Sequence, residues 1–122
     1  MIASDGGPAH PRGSGTYARV LGRYVRQQKA LTLADALRKM TIMPARRLET
    51  RIPALRRKGR ITVGADADIT IFDFERVIDS ATYETPATAS IGIQHVLVAG
   101  TFVVRGARLQ KGAFPGDGIR AR

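Results

Sequence analysis

Near Arg60 the chain changes its hydrophobic period, and that change limits the folds open to it. Before it, apolar residues recur at intervals of three and four. In 16-TYARVLGRYVRQQKA-30, Tyr17, Val20, Leu21, Tyr24 and Val25 share one helical face, and Arg19, Arg23 and Arg26 lie on another. Thr16 is placed to cap that helix. In 32-TLADALRKMTIMPARRLE-49, Thr32-x-x-Asp35 has the form of a capping box, and Leu33, Leu37 and Met40 form the buried stripe. An Asp is shorter than the usual Glu, so the return bond of the box is its weaker half. Pro44 lacks the N–H that a helix interior needs but suits a first turn. The spacing therefore predicts a helix, a kink and a short helix over 44-PARRLE-49. Beyond Arg60, Ile69 and Ile71 alternate with Thr70 and Phe72 as in a strand. The run 95-HVLVAGTFVVRGARL-109 holds Ala99-Gly100 between two β-rich segments, which predicts a tight hairpin turn, and Gly106 marks another. The stretch 75-ERVIDSATYETPATASIG-92 has no period, and the Gly-rich tail 112-GAFPGDGIRAR-122 reads as a surface segment. Helices first and strands after predict an α+β fold.

Charge divides at the same place. From Arg12 to Arg60 there are 14 basic and 2 acidic residues; the rest holds 6 basic and 8 acidic. Such polarity suggests two structural parts or one strongly basic surface. With 122 residues the chain has room for one small core. No cysteine is present, so disulfides and thiolate chemistry are excluded. No run approaches the roughly 18 apolar residues that a membrane span needs. The first residues lack the charged and apolar regions of a signal peptide. The expectation is a cytoplasmic protein.

Few residues offer chemistry. Asp5 lies in 4-SDGGP-8, just past what reads as a strand end. A carboxylate at such a place can ligate a metal or move a proton, with glycines letting a substrate approach; Asp-Gly is equally a favoured turn pair. His10 and Arg12 follow in 9-AHPRG-13, where a loop histidine can hold a metal or a substrate or do neither. His95 reads as a strand-end residue. Gly13-Ser14-Gly15 before a helix is a weak phosphate-binding pattern, because dinucleotide and P-loop spacings are absent. The arginine-rich 46-RRLETRIPALRRKGR-60 suits nucleic acid by charge, but no aromatics are interleaved for base stacking. A solvated face explains it as well.

Taken together, 4-SDGG-7, 10-HPRGSGTYARVLGRYVR-26, 31-LTLADALRKMTIMPARRL-48, 59-GRITVGADADITIFD-73 and 95-HVLVAGTFVVRGARL-109 cover nearly the whole chain. They resemble the C-terminal quarter of amidohydrolase-superfamily enzymes, in the D-aminoacylase (N-acyl-D-amino-acid deacylase) branch. The resemblance implies that residues 1–58 are the last strand-end loop and helices of a metal-dependent (β/α) barrel. It implies that residues 59–122 are part of a small β-sandwich with a tail. It makes Asp5 the catalytic aspartate and a metal-site carboxylate, and His10 and Arg12 substrate contacts. It implies zinc as the cofactor of the parent family and N-acyl amino acids or related amides as substrates. The family's His-x-His pair, bridging ligand and later histidines have no counterpart here, and a full barrel needs about 250 residues. A catalytic zinc wants about three protein ligands. The expectation is therefore a fragment inactive alone, with apolar faces covered by self-association or a complementing chain. The rival readings are a small basic module for nucleic acid or an acidic protein, and a complementing subunit of a split amidohydrolase.

Overall fold

The computed structural model describes residues 1–7 and 9–120. Pro8 of the first loop and Ala121 and Arg122 of the tail lie outside the described residues. Helix α1 covers Arg12–Arg19 and continues without a break into a π-helical run, Val20–Gln27. The helix starts a full turn before Thr16. Pro11 takes the N-cap place, the Gly15 N–H bonds the Pro11 carbonyl at 2.9 Å, and the Thr16 hydroxyl bonds the Arg12 carbonyl at 2.8 Å from inside the helix. Gly13-Ser14-Gly15 thus forms the first turn itself and is no phosphate-binding loop ahead of it. Gly15 is there for closeness, since a Cβ would stand 3.0 Å from the Cβ of Asp79.

Helix α2 spans Leu33–Met40 and α3 spans Ile42–Leu48, with the kink at Thr41 (φ −125°, ψ −85°). Thr32 caps α2 as expected: its hydroxyl accepts the Asp35 N–H at 3.1 Å and donates to the Asp35 carboxylate at 2.9 Å. The short carboxylate thus returns the bond to the hydroxyl. Pro44 falls in the first turn of α3, where no intrahelical N–H bond is lost. A 3₁₀ turn, Pro53–Arg57, follows.

Four strands make one antiparallel meander in the order β1 (Ile69–Phe72), β2 (Ile93–Val98), β3 (Thr101–Arg105) and β4 (Arg108–Leu109). Ile69 pairs with Leu97 and Val98 with Thr101. Ala99 (φ +48°) and Gly100 (φ +79°) both take the left-handed conformation that a two-residue hairpin matched to strand twist requires. Gly106 and Ala107 repeat the device before β4.

The core joins the two halves. Ala18, Val20, Leu21 and Val25 pack with Ala36 of α2 and with Val77 from the β1–β2 connection; Phe72, Phe74 and Ile93 border them. Ala36 and Val77 are wholly buried. Gly22 lets the π run lie directly on residues 77 and 78. Arg26 seals the junction, its guanidinium donating to the Phe74 and Val77 carbonyls at 2.5 and 2.8 Å. The connection that lacks any period is therefore organised by the helix beneath it. Among the described residues no helix is long and apolar enough to cross a membrane.

Candidate active-site loop and its family

The first loop is laid against the start of α1. The Ile2 N–H bonds the Lys39 carbonyl at 2.9 Å, which ties the chain start to α2. At Gly6 a Cβ would stand 2.5 Å from the backbone of Gly13, so only glycine allows this approach. Asp5 sits between these anchors at φ +45°, a conformation that Asp tolerates better than most residues. Its side chain is 92% exposed and meets the Arg12 guanidinium at 3.7 Å. A loose pair in solvent stabilises little. The carboxylate is thus held out from the surface, open to further groups.

His10 has a partner at each ring nitrogen. Its Nδ1 accepts the Arg12 N–H at 3.1 Å, and its Nε2 lies 3.3 Å from the Tyr83 hydroxyl. The two rings meet edge to face with centroids 5.1 Å apart. His10, Arg12, Arg19, Asp79 and Tyr83 line a cavity of about 150 Å³. Arg19 donates to the Asp79 carboxylate at 2.8 Å. The structure therefore brings Asp5, His10 and Arg12 into one neighbourhood and adds Asp79 and Tyr83. Sequence reasoning missed these two because they lie in the aperiodic connection. The one available signal was a tyrosine and an aspartate among small residues in 79-DSATYETPATAS-90.

A second polar cluster is structural. Lys58 contacts Asp66 at 3.0 Å and Asp68 at 2.5 Å, and Arg57 contacts Asp66 at 3.2 Å. The other oxygen of Asp68 accepts the Ala99 N–H at 2.8 Å, capping the β2–β3 turn. That backbone bond, and then Lys58, holds the Asp68 carboxyl below the usual carboxylate range. The bond to Asp68 raises Lys58 above the ordinary lysine value against the opposing effect of burial. The pattern Gly64-Ala-Asp66-Ala-Asp68 is thus a clamp between the 3₁₀ turn and the hairpin. A lowered carboxyl stabilises the fold above its ordinary value and stops doing so as pH falls through its folded value. A raised lysine stabilises below its ordinary value and stops doing so as pH rises through its folded value. Asp68→Ala should therefore cost about 1 kcal/mol near neutral pH. In urea unfolding the difference from wild type should shrink below about pH 4 and above about pH 10.4. His95 likewise serves a turn, its Nδ1 accepting the Gly106 N–H at 3.2 Å.

A family model described as "Amidohydrolase family" matches residues 7–104. The chain belongs to the amidohydrolase family. This amidohydrolase chain is 49% identical over 107 residues to an N-acyl-D-glutamate deacylase of Alcaligenes xylosoxydans xylosoxydans, covering 84% of this chain and 21% of the relative. The crystal structure of N-acyl-D-glutamate deacylase from Bordetella bronchiseptica, complexed with zinc and a phosphonate mimic of the tetrahedral intermediate, matches with TM-score 0.76 and 43% identity. That match covers 84% of this chain and 22% of that one. The crystal structure of a D-aminoacylase matches with TM-score 0.82 and 38% identity, over 93% of this chain and 23% of that one. The chain spans about a fifth of the length of each of these relatives.

Zinc in the Bordetella bronchiseptica deacylase structure raises the question of whether the residues here suit such an ion. Among the described residues no group of three or more His, Cys, Asp or Glu side chains is gathered as a metal site. Both nitrogens of His10 already have partners, and Asp5 has a guanidinium beside it rather than a second ligand. These residues do not make up a zinc site by themselves.

Proposed function

We propose that this chain forms the C-terminal part of an amidohydrolase that hydrolyses N-acyl-D-amino acids or related amides, and that it does not do so alone. Residues 1–58 close a (β/α) barrel, and residues 59–122 comprise part of the accompanying β-sandwich and a C-terminal tail. The observation that carries the reading is Asp5: a carboxylate 92% exposed, on a loop otherwise fastened at Ile2 and Gly6, in a chain closely similar to named deacylases. Within the complete enzyme Asp5 takes a proton from the attacking water and passes it to the departing amine as the C–N bond breaks. Arg12 offers a guanidinium suited to a substrate carboxylate, and His10 borders the same cavity. Zinc belongs to the complete enzyme; Asp5 is this chain's contribution to its site, and the other ligands come from elsewhere. Exposed Tyr17, Met43 and Leu48 on the helices suit covering by the rest of such an enzyme, by a complementing chain or by a second copy.

The test has two arms. The chain alone, given zinc and N-acetyl-D-glutamate, should release no glutamate. A chimera in which this chain replaces the corresponding fifth of the Alcaligenes deacylase should release it. Turnover by the isolated chain, or a folded chimera without activity, would overturn the reading.

The second reading, a basic module, rests on Arg46, Arg47, Arg51 and Arg56, all exposed on α3 and the segment after it. Binding to a DNA or RNA oligonucleotide that weakens steeply with salt would favour it.

A further inference from the structure

We propose that Tyr83 is a positioning residue for the Asp5–Arg12 loop, acting through His10. The inference rests on the role given to that loop above. It begins with a tautomer. Because His10 Nδ1 accepts the Arg12 N–H, that nitrogen carries no proton. The neutral ring then holds its proton on Nε2, which donates to the Tyr83 hydroxyl oxygen at 3.3 Å. The backbone of Arg12 thus selects the tautomer that Tyr83 needs. The edge-to-face ring contact holds the same pair in register.

This arrangement links residues 73 apart in sequence. Tyr83 is 72% exposed, so it adds little to the core, and its contact with His10 is the feature its position explains. Two further bonds tie its segment to the same helix: the Ser90 hydroxyl to the Ser14 carbonyl at 3.1 Å in the first turn, and Arg19 to Asp79 at 2.8 Å at the end of α1. From Tyr83 the chain of contacts runs to His10, to the Arg12 backbone, and through the Arg12 guanidinium to Asp5. The hydroxyl hydrogen of Tyr83, not used by His10, remains available to the cavity that Arg12 also lines. The β1–β2 connection therefore straps down the loop that carries the candidate reaction centre.

Nitrogen-15 NMR of the full chain tests the contact directly. Wild-type His10 should show the protonated nitrogen at Nε2. Tyr83→Phe, which keeps the ring and removes the hydroxyl, should shift that signal and speed Arg12 amide exchange about threefold to tenfold. In the chimeric deacylase the same substitution should raise KM about threefold to tenfold with kcat little changed, and Tyr83→Ala should raise it at least as far. An unmoved His10 signal overturns the contact. A moved signal with an unmoved KM overturns the positioning role. Asp5→Asn run in the same chimera separates these failures from a failure of the functional reading. If it leaves activity intact, the assignment of Asp5 falls, and the positioning role falls with it.

Discussion

Asp5→Asn in the chimeric deacylase should lower kcat about 10²–10⁴-fold while KM changes little. The substitution is nearly isosteric. Asn tolerates the φ of +45° found at this position as readily as Asp does, so the loop keeps its shape. The pair with Arg12 spans 3.7 Å in solvent, so losing its charge costs at most about 1 kcal/mol of stability. What disappears is the carboxylate that accepts and returns a proton. An aspartate that merely shaped the turn would give the opposite pattern, with full activity in the Asn variant. Asn before Gly6 deamidates back toward Asp, so the mass of the variant must be followed alongside its rate.

Gly22→Ala should destabilise the isolated chain by about 2–3 kcal/mol. In a free helix the same change would stabilise by about 0.8–1 kcal/mol, because alanine loses less backbone entropy. Here the added methyl would overlap the Val77 carbonyl oxygen and stand 2.6 Å from the Ile78 side chain. The isoleucine can turn away, but the carbonyl cannot move without the backbone. Displacing that backbone also pulls the Val77 and Phe74 carbonyls from the Arg26 guanidinium. Urea unfolding should show a lower midpoint at an unchanged slope. A neutral or stabilised variant would mean that the helix and the connection do not meet as described.

Local rules foretold some parts of this molecule and not others, for physical reasons. The cap at Thr32 and the turn at Ala99-Gly100 depend on atoms a few residues apart, and both were legible. The start of the first helix was not. Thr16 has the better capping side chain, but the contacts of Gly6 with Gly13 and of Gly15 with Asp79 set the helix a turn earlier. Apolar spacing of three to four also does not separate an α-helix from the π register of Val20–Gln27. Asp5, His10 and Arg12 stand close in sequence and were found together. Tyr83 and Asp79 join them only through contacts between residues 73 and 60 apart in sequence. Likewise the Asp66 and Asp68 pair was visible as a pattern, whereas its task of clamping Lys58 and capping a distant turn was visible only in three dimensions.

The shared core bears on how such a block can pass between genes. Val77 is wholly buried against residues that lie before the change of period, and Phe72, Phe74 and Ile93 complete the same cluster. A recombination point near Lys58 would separate Leu21 and Val25 from their packing partners and leave each product with half an interior. Exchange of the helices and strands as one segment keeps every one of those contacts. Selection on packing alone would therefore favour crossovers that spare the middle of this chain, although its composition changes there most sharply.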